Sequence, residues 1–198
     1  MVQWGGSYGR EWILIEMTVP KSKARDIAYI AVFTALIAVG AWIAIPTPVR
    51  IDFTLQTLGV FLAVGVLGGR RGTLAVAAYL LLGAVGAPVF SGFSGGLSAL
   101  VSPSGGYLIG FFFTALFMWG VEKAVGEKLW KLALSMALGA VIYYAFGTAW
   151  FMVVYPMGGE GVSLWTALSW CVIPYIPFDA IKIALAMALT AMLRRHVR

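Results

Sequence analysis

Charged side chains are scarce in this sequence, and their scarcity excludes an ordinary water-soluble protein. Of the 198 residues, 11% are charged and 61% are hydrophobic, and the mean hydropathy is +0.92. Soluble domains have about 25% charged residues, which cover the surface that faces water. A chain with so few charges is expected to lie in a lipid bilayer, and we predict an integral membrane protein.

Other absences exclude several kinds of chemistry. The single cysteine, Cys171, excludes an internal disulfide and a cysteine-rich metal site. The single histidine, His196, lies in a basic tail, and no cluster of His, Cys and carboxylate residues is present for a metal ion. There is no GxxxxGK[ST] motif, and no serine or cysteine has a recognisable base partner. We therefore predict a protein that is not an enzyme and that has no cofactor or metal of its own.

Long uncharged segments predict an all-α protein with six membrane-spanning helices. A hydrocarbon core about 30 Å thick requires roughly 20 apolar residues in a helix. Residues 1–23 have no long apolar core and are predicted to be a cytoplasmic lead-in, not a signal peptide. Residues 24–198 then form a six-helix membrane domain. The predicted spans are 27–45, 53–69, 73–90, 105–121, 132–155 and one within 163–193.

The basic residues predict the orientation of these spans. Lys and Arg are enriched in cytoplasmic loops, and 12 of the 14 here fall on one side of the predicted helices. Both termini are therefore expected in the cytoplasm. The same placement accounts for the net charge of +6 without a nucleic-acid partner, which would need a basic face with base-reading elements. The basic groups are Arg10 to Arg25, Arg70 and Arg71, Lys123 to Lys131, and Arg194 to Arg198.

Two charges interrupt the apolar sequence "PYIPFDAIKIALA" of the last span. As one straight helix, residues 163–193 would be about 45 Å long, so Pro174 and Pro177 are predicted to break it, and Pro177 to restart it. Asp179 and Lys182 then share one helix face in the outer half of the membrane. Each charge costs about 2.5–3.5 kcal/mol at such a depth. Two interpretations stay open: a polar binding site reached from outside, and a structural pair that neutralises itself.

A long outer connection, residues 91–106, is rich in Gly and Ser and has no charge. It is either a flexible loop or backbone that packs back into a protein cavity, where irregular backbone is tolerated at membrane depth. It lies on the same side of the predicted membrane as Asp179 and Lys182, which favours a binding site. These groups together suit a small polar molecule that has both N–H and C=O edges.

Alanines recur along the first span in steps of four and three residues, at Ala24, Ala28, Ala31, Ala35 and Ala38. Small residues let helices approach closely in lipid. The stripe is either packed inside the bundle or a docking face for another membrane subunit.

Five segments resemble the BioY family, and they occur in the family's order between about residues 24 and 195. They are "FTLQTLGVFLA" (53–63), "LGGRRG" (67–72), "YLLLGAVGAPVF" (79–90), "GGLSALVSPSGGYLIGF" (95–111) and "PYIPFDAIKIALA" (174–186). BioY is the biotin-binding S component of energy-coupling factor (ECF) transporters. The resemblance implies the S-component fold in a prokaryotic inner membrane. It also implies capture of biotin from outside and ATP-driven import with a transmembrane coupling subunit and two ATPase subunits.

The resemblance also implies roles for particular residues. The family's biotin-binding Asp and Lys fall on Asp179, which would accept a ureido N–H, and on Lys182, which would donate to the ureido carbonyl or the carboxylate. Ser94 and Leu108 stand where some relatives have asparagine and arginine. The remaining implied roles are ligand contacts for Ser94, Gly95, Phe93 and Tyr107, a lid for Arg50 and Asp52, and docking on the coupling subunit for Ala31 and Ala35 or for Ala24 and Ala28.

Two other functions stay open from the residues alone. One is a solitary carrier, which would transport a small molecule without an ATPase. The other is a membrane scaffold in which Asp179 and Lys182 form a structural pair and no ligand binds.

Overall fold

The computed structural model describes residues 21–48, 51–126, 128–155 and 161–197. The predicted lead-in up to residue 20, and Arg50, lie outside these ranges. Within them the chain is helical apart from one short hairpin, formed by β1 (Ala44–Ile45) and β2 (Phe53–Thr54), in which Ala44 pairs with Thr54. The helices are α1 (Lys21–Trp42), α2 (Gln56–Leu67), α3 (Gly69–Ala84), α4 (Leu97–Leu100), α5 (Gly105–Val125), α6 (Leu129–Val154), α7 (Leu164–Cys171) and α8 (Ile176–Val197), with a 3-10 turn at Ser91–Phe93.

Helix α2 lies at the centre of the bundle. It contacts α1, α3, α5 and α8, and every residue of α2 except Leu58 is buried. A helix that is apolar on all sides is expected to be surrounded by other helices, and the sequence "VFLAVGVL" of α2 has this character. The first turn of α2 is different, because it buries two polar side chains, Gln56 and Thr57.

Glycines allow α2 and α3 to be joined by a single residue. Gly68 ends α2 and precedes α3, and its φ of 88° lies in the left-handed region that favours glycine. Gly72 lies so close to α2 that a Cβ atom there would be 2.4 Å from the Cα of Val64. The motif "LGGRRG" therefore forms a tight corner between two helices.

The predicted spans agree with the helices in part. Among the described residues, four helices are long and apolar enough to cross a membrane: Lys23–Trp42, Gly105–Val125, Leu129–Val154 and Ile176–Val197. They coincide with predicted spans one, four, five and six. Helices α2 and α3 are shorter, with 12 and 16 residues, or about 18 and 24 Å.

Several predicted boundaries differ from the helix ends by three to six residues. Span one was extended to residue 45, but α1 ends at Trp42 and the next residues enter the hairpin. Span three was extended to residue 90, but α3 ends at Ala84, because the glycines and prolines that follow favour an irregular chain. Arg70 and Arg71 lie in the first turn of α3, not in a loop, and Arg71 forms an ion pair of 3.0 Å with Asp26 of α1.

The last span is broken as the prolines predict. Helix α7 ends at Cys171, and α8 begins at Ile176 with Pro177 in its first turn. Proline is tolerated there because the first N–H groups of a helix have no intrahelical partner. The break places Asp179 in the first turn of α8, facing the interior of the bundle.

The alanines of α1 do not all lie on one surface. Ala38 is buried, with 5% of its surface exposed, so it packs inside the bundle. Ala24, Ala28, Ala31 and Ala35 are exposed on the outside of the described bundle. Packing inside the chain therefore explains one alanine of the five.

Candidate ligand-binding site

A polar cavity of about 310 Å³ lies at the end of the bundle that contains the first turns of α2 and α8. Its volume lies at the lower end of the range for small-molecule pockets, about 300–1,000 Å³. The wall comes from the hairpin segment (β1, β2 and the residues between them), the Gly/Ser connection, helices α2, α5, α6 and α8, the end of α7, and the turn before α8. Its polar lining residues include Asp52, Thr54, Gln56, Thr57, Ser91, Ser94, Ser98, Ser102, Ser104, Tyr107, Tyr143, Tyr144, Tyr175, Asp179 and Lys182.

The carboxylate of Asp179 is the most highly connected group of this cavity. Asp179 is buried, with 4% of its surface exposed. Its Oδ1 accepts hydrogen bonds from Lys182 Nζ at 2.7 Å and from Thr57 Oγ1 at 3.3 Å. Its Oδ2 accepts from the hydroxyls of Tyr143 and Tyr144. One side chain of α8 thus binds groups of α2 and α6.

These four hydrogen bonds change the role expected for Asp179. A carboxylate offers about four acceptor positions, and protein donors occupy that number here. A ligand N–H can reach the carboxylate only if one protein donor moves away. The phenolic oxygens of Tyr143 and Tyr144 keep acceptor capacity while they donate to Asp179, and Lys182 keeps further N–H donors. The groups around Asp179 therefore offer a ligand both donors and acceptors.

The ion pair lies at the start of α8. Asp179 lies near the positive end of the helix dipole, where a carboxylate is stabilised. Lys182 is three residues further along, and both side chains are largely buried, with 6% and 11% of their side-chain surfaces exposed. Charge-assisted hydrogen bonds are the strong class of hydrogen bond in such an interior.

The Gly/Ser connection is folded back over the cavity. Phe90 and Ser94 form an isolated bridge, and the Ser94 hydroxyl donates to the Ser91 carbonyl at 2.7 Å. At Gly95 a Cβ atom would lie 2.3 Å from the carbonyl oxygen of Ala87, so only glycine allows this close approach. The connection is ordered cavity wall, as the second of the two sequence interpretations expected.

The hairpin segment covers the cavity from the other side. The Ser91 hydroxyl donates to Asp52 Oδ2 at 2.5 Å, which ties the hairpin segment to the Gly/Ser connection. The Tyr175 hydroxyl donates to the Ile51 carbonyl, and the ring of Phe53 stacks on Tyr175 with centroids 4.0 Å apart. Asp52 thus lies where a lid residue is expected to lie, whereas its predicted companion, Arg50, is outside the described residues.

Tyr107 extends from α5 across the cavity wall. Its hydroxyl lies 3.3 Å from Thr148 Oγ1 and 3.5 Å from the carbonyl of Cys171. Gly147 makes room for the ring, because a Cβ atom there would lie 2.4 Å from the ring carbons.

One predicted ligand contact lies elsewhere. Phe93 does not line the cavity; it is 65% exposed. Its φ of 55° turns the side chain outward, and the ring stacks on Trp42 of α1 at 5.1 Å. Phe93 therefore packs the Gly/Ser connection against α1 in this structure, and its contact with a ligand stays a prediction. The predicted residues that do line the cavity are Asp179, Lys182, Ser94, Gly95, Tyr107 and Asp52, with Leu108 beside them.

Two pairs of adjacent polar residues are among the parts of this site that were not predicted from the sequence. Tyr143 and Tyr144 occur as a pair in the middle of an apolar helix, where tyrosine hydroxyls need a hydrogen-bonding partner. Gln56 and Thr57 occur together at the start of an apolar helix, within "FTLQTLG". Polar groups buried in a membrane protein are expected to form hydrogen bonds with one another. The occurrence of these two pairs within apolar helices could therefore have predicted that they lie near Asp179.

A second, apolar groove of about 690 Å³ lies between α6 and the helices α7 and α8. Tyr144 and Asp179 line both this groove and the polar cavity. They are therefore part of the wall that separates the polar cavity from an apolar surface.

The arrangement of helices around the polar cavity is shared with a solved structure. That structure is described as the S component for biotin from an ECF-type ABC transporter. The two chains superpose with a TM-score of 0.80 at 28% identity, over 89% of this chain and 94% of the other. The fold and the cavity thus define a multi-pass membrane protein of the ECF S-component class.

Within this class, the sequence assigns the chain to one family. The family model described as "BioY family" matches residues 16–198, and the chain belongs to the BioY family. The resemblance stated from the motifs is confirmed.

Proteins named as biotin transporters are similar along nearly their whole length. The biotin transporter BioY of Thermotoga maritima is 41% identical over 171 residues, which cover 86% of this chain and 96% of that protein. The Rhodobacter capsulatus protein of the same name is 38% identical, covering 80% and 87%. The probable biotin transporter BioY of Pyrococcus horikoshii is 35% identical, covering 87% and 98%. These relatives are named as transport proteins.

The two charges of the buried ion pair are predicted to be coupled in their effect on stability. Asp179→Asn or Lys182→Met alone leaves one buried charge without its counter-charge, which destabilises a protein by about 3–5 kcal/mol. The double variant removes both charges and is expected to lose less stability than the sum of the two single variants. Thermal unfolding of the purified proteins in detergent measures this, with the exposed Lys123→Met as control. Additive losses would show that the two charges are not coupled.

Proposed function

We infer that this protein is the S component of an ECF-type transporter and that it binds biotin from outside the cell for ATP-driven import. The observation that carries this inference is the position of the Asp179–Lys182 pair. It lines a covered polar cavity in a chain of the BioY family. The curated relatives named as biotin transporters support the choice of ligand.

The chemistry of the cavity suits biotin. Biotin has a ureido ring with N–H and C=O edges, an apolar sulfur ring, and a flexible chain that ends in a carboxylate. Lys182 and the hydroxyls around Asp179 offer donors and acceptors to the ureido group or the carboxylate. Phe111 and Phe90 offer apolar contact to the rings. Ser94, Gly95 and Tyr107 are proposed as further ligand contacts, and Asp52 and Arg50 as parts of the lid.

Variants of the pair are predicted to weaken biotin binding. Hydrogen bonds to charged groups contribute about 1.5–3 kcal/mol, so Lys182→Met, which removes a charged donor, should raise the Kd about 10- to 150-fold. Asp179→Asn should raise the Kd over the same range, because it removes the carboxylate that positions Lys182 and the hydroxyls of Tyr143 and Tyr144. A titration of biotin into the purified proteins, limited to variants that remain folded, measures the effect, with Lys123→Met as the matched lysine control. If both variants bind biotin as tightly as the wild type, the site assignment is wrong.

The proposed topology has six crossings, with α2 and α3 as the two short ones. The burial of α2 on all sides supports this, because a helix surrounded by protein can be shorter than one that faces lipid. The basic residues support a cytoplasmic position for both termini. The cavity then opens to the outside of a prokaryotic inner membrane.

Site-directed labelling tests this topology. Cys171 is the single cysteine of the sequence and is buried, so Cys171→Ala gives a background without thiols. In that background Val101→Cys lies in the Gly/Ser connection, and Lys128→Cys and Arg195→Cys lie at the basic end. In intact cells, a membrane-impermeant maleimide should label the cysteine at position 101. It should label the cysteines at positions 128 and 195 only after the cells are permeabilised. Labelling of 128 in intact cells would contradict the orientation.

The proposed partners are a transmembrane coupling subunit and two ATPase subunits. The chain has no nucleotide-binding motif of its own, so ATP hydrolysis would take place in the partners. The exposed alanines of α1 support a docking face, since they allow close approach of a second helix. Ala31 and Ala35 lie in the middle of this face, and Ala24 and Ala28 extend it toward the basic end.

Larger side chains on this face are predicted to prevent docking of the coupling subunit and to leave biotin binding unchanged. Ala31→Leu with Ala35→Leu should abolish co-purification with the coupling subunit and ATP-driven uptake, because the helices can no longer approach closely. The biotin Kd should not change. Ala137→Leu, an exposed alanine of α6, is the matched control. Biotin uptake by vesicles that contain this protein alone would instead support a solitary carrier.

A further inference from the structure

One polar side chain of the cavity has no partner in the described part of the chain. Gln56 is buried, with 3% of its surface exposed, and it lines the polar cavity. Its amide nitrogen Nε2 makes no hydrogen bond to any described residue. A buried donor left without a partner costs about 1–3 kcal/mol, so its retention at this position needs an explanation.

The surroundings of Gln56 place it beside the charged pair. Gln56 is the first residue of α2, and its neighbour Thr57 donates to the carboxylate of Asp179. Asp179 already accepts four protein hydrogen bonds, which leaves Gln56 without a free acceptor there. Because Gln56 lines the cavity, a molecule bound there is the partner that we infer for its amide N–H.

The lining offers few other uncommitted donors. Ser91 donates to Asp52, and Ser94 and Ser102 donate to backbone carbonyls. Leu108 adds an apolar side chain to the wall. An acceptor oxygen of the ligand thus needs Lys182 and a second, neutral donor.

We propose that the side-chain amide of Gln56 donates a hydrogen bond to an oxygen of the bound ligand, either its ureido carbonyl or its carboxylate. This assignment rests on the proposed function, since it takes biotin as the ligand. Gln56 is in this view a binding residue whose own polar group is satisfied by the ligand. The unpartnered amide makes the ligand-free cavity less stable and the complex more specific for a molecule with an acceptor at that point.

The test compares affinity with stability in the same variants. Gln56→Met keeps the length of the side chain and removes the donor, and it should raise the biotin Kd about tenfold. Without ligand, the melting temperature of Gln56→Met should stay the same or rise, because an unpartnered buried polar group has been removed. Gln56→Glu replaces the donor with an acceptor and should lose at least as much affinity. Thr190→Val is the control, because Thr190 Oγ1 is also buried and unpartnered within the described residues but does not line the cavity.

The outcomes separate this assignment from the proposed function. If the wild type binds biotin and Gln56→Met or Gln56→Glu binds it equally tightly, the assignment of Gln56 is wrong and the proposed function is unaffected. A ligand-free melting temperature that falls in Gln56→Met, by more than in Thr190→Val, gives Gln56 a structural role and also overturns it. Absence of biotin binding by the wild type overturns the proposed function and this assignment with it. Biotinol, which lacks the carboxylate, identifies the acceptor. If Gln56 contacts the ureido carbonyl, Gln56→Met should weaken the binding of biotinol as it weakens the binding of biotin. If Gln56 contacts the carboxylate, Gln56→Met and the wild type should bind biotinol equally.

Discussion

The buried ion pair between Asp179 and Lys182 is the interaction on which the rest of the site depends. A single charge at membrane depth costs about 2.5–3.5 kcal/mol, so neither residue is expected there without the other. The carboxylate also accepts hydroxyls from Thr57, Tyr143 and Tyr144. One side chain of α8 thus fixes the positions of α2 and α6 around the cavity. The network that satisfies the charge is at the same time the polar wall that a ligand would meet.

Helix α2 connects the packing of the bundle to this chemistry. Its apolar body is surrounded by four other helices, while its first turn carries Gln56 and Thr57 into the cavity. Because the body of α2 cannot move without disturbing the core, these two polar groups are held at fixed positions. The hairpin segment and the Gly/Ser connection, on the opposite part of the wall, meet through the hydrogen bond from Ser91 to Asp52.

The sequence predicted the parts of this fold that follow from local patterns. Uncharged runs located the four long helices, and Pro174 and Pro177 located the break before α8. The motifs indicated the family, which the family model confirms. The predicted end of span three was wrong because apolar residues continue in the chain beyond the end of α3. The sequence did not predict that Phe93 stacks on Trp42, because this contact depends on a positive φ in the Gly/Ser connection and on the position of α1.

By itself the sequence determined that this protein lies in a membrane, since so few charges cannot cover a surface in water. It also determined that Asp179 and Lys182 need hydrogen-bonding or charged partners there. Which groups satisfy them was decided by the tertiary structure. Thr57 is 122 residues from Asp179 in the chain and Tyr143 is 36 residues away, and no local pattern relates positions so far apart. The same holds for the exposed alanines of α1 and the buried Ala38. They share one periodicity, and only the packing of α1 against its neighbours separates them.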